Sequence, residues 1–218
     1  LLWRAQIPAF GYRVYRFAPG LARANSQGGA LVANPPGLAQ EHPLAGRLAV
    51  DETGLENEHL RIELDPQSGE ITSWRDLAGG IEWVGAGRWN AGLVLEDLTD
   101  TWSHAVTRFG PVIARFGAAR VRVCERGPLQ VSLLIDRSLD LEDGTRATWE
   151  QMLILRRGEK EAILRNWLTW QGRFKAVKLG FDLAASAVRA AHHVPFGWTD
   201  RPTDGSERAN QMWVDLQG

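Results

Sequence analysis

From residue 55 onward the chain alternates apolar and polar positions with a period of two. In His59-Leu60-Arg61-Ile62-Glu63-Leu64-Asp65 the apolar side chains fall on one face, as they do on a half-buried strand. Pro66, Ser68 and Gly69 supply turn chemistry, and Glu70-Ile71-Thr72-Ser73-Trp74 returns, which predicts a hairpin. Val121 and Val123, then Gly127-Pro128, then Leu129, Val131, Leu133 and Ile135 predict a second hairpin. Asp143-Gly144 marks a turn between Leu139-Asp140-Leu141 and a strand from Ala147 to Leu155. Leu164, Leu168 and Trp170 alternate again, followed by Val177, Leu179, Phe181 and Leu183, and by Val194, Phe196 and Trp198. No convincing amphipathic helix interrupts the series. Even the best candidate, 181–191, lacks an apolar stripe. Strands separated by turns predict a large antiparallel sandwich.

The first 50 residues differ in texture. One short strand-like run, Tyr12 to Phe17, precedes a stretch over 18–49 rich in Gly, Pro, Ala, Asn and Ser, which reads as a linker or long loop. The expected organisation is therefore a leading segment and linker over 1–50 and an incomplete β-sandwich domain over 51–218. The chain opens on Leu1-Leu2-Trp3, without Met, and stops in the strand-like run Trp213 to Leu216. Both ends suggest a piece of a longer protein.

Composition narrows the functional classes. With 218 residues, 44% of them hydrophobic, the chain can bury a real core. Its 25 basic and 26 acidic residues are well mixed, which argues against a nucleic-acid partner or an anionic membrane surface. No apolar run spans a bilayer and the N-terminus lacks a signal-peptide layout, so the expected location is cytoplasmic. The single Cys124 forms no internal disulfide framework. It shares a strand face with Arg120 and Arg122, and nothing around it marks an activated nucleophile.

Candidate chemistry concentrates in EDLTDTWSHAV, residues 96–106. Asp100, Ser103 and His104 do not make a Ser-His-Asp triad, because a triad converges from separate parts of a fold. A polar loop anchored by Trp102 and a substrate-facing loop both remain open. His192-His193 are adjacent on a strand and diverge, so they do not readily chelate one metal. Paired carboxylates are the signature of glycosidases, but Glu56 and Glu96-Asp97 are candidates only by count. Of the ten Trp, Trp149, Trp167 and Trp213 sit in strand-like runs and are expected in the core. Trp102 and Trp198 sit among polar residues, where an indole offers a flat apolar surface suited to a sugar ring.

Three stretches, in order, resemble one family. They are Glu56 to Asp65 with Gly69 to Trp74; Glu96-Asp97 with Asp100-Thr101-Trp102-Ser103-His104; and Val194-Pro195-Phe196-Gly197, Arg201-Pro202-Thr203 and Trp213-Val214-Asp215-Leu216. Together they are similar to the C-terminal β-domain of glycoside hydrolase family 38 α-mannosidases of the bacterial type. Pro8 to Tyr15 resembles the segment leading into that domain. Asn166 to Trp170, with Lys175 and Lys178, resembles a further stretch, although Thr169 stands where the family has Asp.

The resemblance implies a galactose-mutarotase-like antiparallel β-supersandwich, here truncated at its C-terminal side. It implies a parent enzyme that is a zinc-dependent retaining α-mannosidase. Zinc and the nucleophilic Asp would belong to an N-terminal barrel that this chain lacks, so no cofactor and no catalytic residue is assigned here. Expected partners are an α-mannoside or oligosaccharide and the catalytic barrel of the parent protein. Strands missing from the sandwich would leave edges open to self-association. In the full enzyme, the 96–106 loop is expected near the sugar. Trp102 would stack on it, Asp100 or His104 would bond a hydroxyl, and Arg201 would stand on the rim. Competing readings are an independent carbohydrate-binding module on Trp102 and Trp198, an aldose-epimerase-like enzyme using His104 or His193, and a structural interaction domain.

Overall fold

The structure is a computed structural model that describes residues 48–99, 102, 106–185 and 188–218. Every element in this set is a strand, and every pairing is antiparallel. Alternation explains the first of them. β1 (Ala49–Asp51), β2 (Gly54–Glu56), β3 (Leu60–Leu64) and β4 (Ile71–Asp76) form consecutive hairpins, and β3 buries Leu60, Ile62 and Leu64 while exposing the residues between. β5 (Ile81–Glu82) pairs with β4. β6 (Val84–Glu96), β7 (Val112–Arg115) and β12 (Lys175–Leu183) complete an eight-stranded sheet in the order β1-β2-β3-β4-β6-β12, with β7 on β6.

A second sheet has the order β11-β10-β9-β8, built from β8 (Ala119–Arg126), β9 (Gln130–Asp140), β10 (Arg146–Arg156) and β11 (Ala162–Gln171). The two sheets pack as a sandwich. Leu55, Ile62, Leu64 and Ile71 of the first meet Val131, Leu133, Ile135, Leu153 and Leu155 of the second. Each fully buried Leu or Ile contributes about 1.5–3 kcal/mol. A second apolar cluster gathers Val94, Phe116, Ala147 and Trp149, with Val177, Leu179 and Trp170 against it. Phe116 meets Trp149 edge to face at 5.1 Å.

Two buried polar groups join the layers. Asn57 donates to the carbonyls of Arg156 at 2.7 Å and Glu159 at 2.8 Å, while its oxygen accepts the amides of His59 and Leu60 at 2.8 Å. Gln151 donates to Asn90 at 2.8 Å and Asn166 at 2.7 Å, and accepts from Arg137 at 2.6 Å. Arg137 is buried, and burial pulls its guanidinium down to about 10 against the charge of Glu70.

The third sheet, β14-β13-β15, comprises β13 (Arg189–Val194), β14 (Gly197–Arg201) and β15 (Val214–Gln217).

Three sequence expectations need correction. Phe196 does not continue a strand with Val194 and Trp198. It occupies the β13–β14 turn at φ 68° with its ring fully exposed. Trp167 and Trp213 are not core residues: they are 49% and 43% exposed. Trp167 lies opposite exposed Glu150 on the edge strand β11, and Trp213 immediately precedes the edge strand β15. Alternation identifies a face, and an edge strand has no second neighbour to cover it.

Candidate functional site

The connection after β6 starts as a stapled loop. The Glu96 amide donates to Pro111 and the Gly110 amide donates to Glu96, both at 3.0 Å, while the Asp97 amide donates to the Phe174 carbonyl at 2.9 Å. The Asp97 carboxylate accepts the Thr99 amide at 3.0 Å and its hydroxyl at 2.5 Å, which is the local turn that short acidic side chains favour. Trp102 stands out from this loop, 79% exposed. Asp100 and His104 lie outside the described residues.

The connection from β14 to β15 reaches the far end of the same loop. Arg201 ends β14, half-buried and opposite Ala190. After Pro202-Thr203, the Asp204 carbonyl accepts Arg108 at 3.0 Å, and the Glu207 amide donates to Thr107 at 2.7 Å. The Glu207 carboxylate accepts the Phe109 amide at 3.0 Å and pairs with Lys178 of β12. The Lys178 ammonium also sits 4.9 Å from the centre of the Phe109 ring. Burial alone would raise the Glu207 carboxyl, but Lys178 and the Phe109 amide outweigh it and hold the group below its ordinary range. The Arg201-Pro202-Thr203 run and the 96–106 stretch, remote in sequence, therefore lead into one hydrogen-bonded rim.

Beside the loop base lies a groove of about 720 Å³, lined among others by Glu96, Leu98, Asp143, Gln171, Phe174 and Lys175. It forms where the start of β12 approaches the β9–β10 turn. The Lys175 ammonium is almost covered and pairs with Asp143. Its hydrogen bond, reinforced by the Thr145 amide, lowers the Asp143 carboxyl to about 2. Phe174, next to it, has a left-handed backbone at φ 56° and a ring that is 67% exposed. Of these residues the sequence motifs marked only Lys175, Glu96 and the Asp143-Gly144 turn. The approach of that turn to 172–175 is a tertiary relationship with no signature in either stretch.

The other sequence candidates separate. Glu56 pairs with Arg61 at 2.6 Å, and Asn57 is a structural clamp. Cys124 is exposed on the outward face that carries Arg120 and Arg122. His192 is buried, whereas His193 stacks on Trp213 at 5.4 Å. Among the described residues no group of three or more His, Cys, Asp and Glu side chains could hold a metal ion. Trp198 is 55% exposed, with the Arg189 guanidinium 5.5 Å from its ring centre. Arg189 in turn grips Asp200 with two bonds of 2.9 and 2.7 Å. No helix among the described residues is long and apolar enough to cross a membrane.

Known proteins give two points of comparison. The family model described as glycosyl hydrolases family 38 C-terminal domain matches residues 55–218. Among solved structures, an α-mannosidase from Enterococcus faecalis V583 superposes with a TM-score of 0.64 at 12% sequence identity. The match covers 78% of this chain and 23% of that one, so the chain spans about a quarter of the solved protein. At that identity the likeness speaks for the sandwich fold. No curated protein matches the chain.

Proposed function

The chain belongs to glycosyl hydrolase family 38 through that family's C-terminal domain, and from this premise we propose that it is the β-domain of a zinc-dependent retaining α-mannosidase acting on terminal α-mannosides. In this reading a bound zinc would template the sugar hydroxyls, and a carboxylate would bond to the anomeric carbon as the glycosidic C–O bond breaks and its oxygen leaves with a proton from a general acid. The zinc and that carboxylate belong to a barrel elsewhere in the parent protein. This chain completes the rim of the sugar cleft and braces the barrel. The observation that carries the reading is the rim itself. Two of the stretches that mark the family likeness, 96–106 and 201–203, lead into one structure through Phe109, Glu207 and Lys178. Trp102 would stack on the sugar, Asp100 or His104 would bond a hydroxyl, and Arg201 would face an oxygen of the substrate.

The test is hydrolysis of a chromogenic aryl α-mannoside. The parent enzyme should turn it over, lose activity to chelator, recover it with zinc, and release the α-anomer first. The 218-residue chain alone should not turn it over in either condition. Turnover by the isolated chain, or a parent enzyme indifferent to chelator, would overturn the reading.

A further inference from the structure

We propose that the groove at Phe174 is a binding site for a neutral sugar ring, built wholly from this chain. Phe174 carries the argument. A left-handed backbone at φ 56° is an outlier for a bulky aromatic residue. Such strain persists only when the surroundings over-determine it, and it clusters at ligand sites. Here the surroundings do so. The Phe174 carbonyl accepts the Asp97 amide at 2.9 Å, and the next residue, Lys175, is pinned by Asp143 and by a 3.3 Å bond to the Arg173 carbonyl. The strain is not offset by burying the ring, which stays 67% exposed at the groove. An aromatic face held out to solvent at a conformational cost is surface prepared for contact.

The lining selects the class of ligand. Glu96 and Asp143 are matched by Arg173 and Lys175, so the ionised side chains cancel and neither an anion nor a cation gains a net field. Leu98 and Phe174 supply exposed apolar surface, while Glu96, Gln171 and Asp143 supply acceptors and a donor. A pyranose has this same division, with a C–H face for the aromatic ring and hydroxyls for carboxylates and amide. The volume of about 720 Å³ falls in the range of small-molecule sites, roughly 300–1,000 Å³. The inference does not rest on the mannosidase reading. It concerns binding by this chain alone, and it stands or falls whether or not the parent enzyme cleaves mannosides.

Saturation-transfer NMR on the 218-residue chain tests it, with methyl α-D-mannopyranoside, methyl α-D-glucopyranoside and mannose 6-phosphate as probes. At least one neutral glycoside should receive saturation at its ring protons and bind more tightly than the phosphorylated sugar. Phe174→Gly removes the ring, and glycine adopts the left-handed backbone freely. Its Tm should therefore hold or rise while sugar affinity falls about tenfold or more, as expected for loss of one ring contact. Asp143→Asn, a second variant, should weaken binding without abolishing it. Four results would overturn the site: no transfer at the highest soluble glycoside concentration, equal affinity in Phe174→Gly, a lower Tm in that variant, or preference for the phosphorylated sugar.

Discussion

The backbone amide of Phe109 donates to the Glu207 carboxylate at 3.0 Å, tying the end of the β6–β7 loop to the β14–β15 connection. The two residues are 98 positions apart. Glu207→Gln keeps an acceptor for the amide and loses the charge pair with Lys178, whereas Glu207→Ala loses both. A half-exposed ion pair is worth at most about 1 kcal/mol, and a lost hydrogen bond about 1 kcal/mol more. Glu207→Gln should therefore sit between wild type and Glu207→Ala in urea unfolding. Hydrogen exchange at the Phe109 amide should accelerate mainly in the alanine variant.

Acid should loosen this rim before it loosens the groove. Glu207 and Asp143 both have folded carboxyls below their ordinary values of 4.5 and 3.8. A carboxyl lowered by folding stabilises the fold fully above its unfolded value. That stability is lost as pH falls through the folded value. The Lys178–Glu207 contribution should fade below about pH 4.5. The Asp143–Lys175 contribution should begin to fade only below about pH 3.8 and be lost as pH falls to about 2. Tm measured from pH 7 downward should decline in that order. Glu207→Gln should flatten the first part of the decline and leave the last part intact.

The strands with clean alternation are legible in the amino-acid sequence. β3, β4, β8, β9 and β10 lie where period-two patterning and turn residues place them. β6 is not legible in this way, although it is 13 residues long and central to its sheet. Its sequence, VGAGRWNAGLVLE, contains three glycines and an asparagine, which read as breakers. Asn90 is in the left-handed region at φ 61°, and opposite it the pairing with β12 slips at Gly180 and Phe181. A bulge of this kind turns side chains off the regular period, so the pattern is lost where the strand bends. The candidate site is half legible for a similar reason. Motifs mark the 96–106 and 201–203 stretches, but Glu207 and Phe174 acquire their meaning only from partners far away in sequence.

Asn57 should prove a stability residue and not a catalytic one. Its side chain makes four hydrogen bonds while 1% exposed, two of them to the β10–β11 turn. Asn57→Ala takes one partner from each of two carbonyls and two amides in a mostly part-buried setting. The expected loss is about 2–4 kcal/mol, read as a lower urea midpoint with an unchanged m-value.

Trp102→Ala should show the reverse profile. With the indole 79% exposed, unfolding free energy should change by less than about 0.5 kcal/mol. Under the proposed function, KM of the parent enzyme for an α-mannoside should rise, about tenfold for one lost indole–sugar contact. A drop in Tm with kinetics unchanged would mark the loop as scaffold.

Two glycines separate backbone strain from packing. Gly69 and Gly144 both have positive φ, 68° and 82°. A side chain at either pays about 1–2 kcal/mol for the left-handed backbone. Beyond that their surroundings differ. A Cβ on Gly69 would stand 2.4 Å from the Ile135 methyl in the sandwich core, whereas one on Gly144 would meet nothing within 4 Å. Overpacking a core costs a further 1–3 kcal/mol or so. Gly69→Ala should therefore destabilise by about 2–4 kcal/mol and Gly144→Ala by about 1 kcal/mol. The gap between them measures how far the β3–β4 turn is pressed into β9. Equal losses in urea unfolding would mean that Ile135 yields without cost and that the turn only rests on the core.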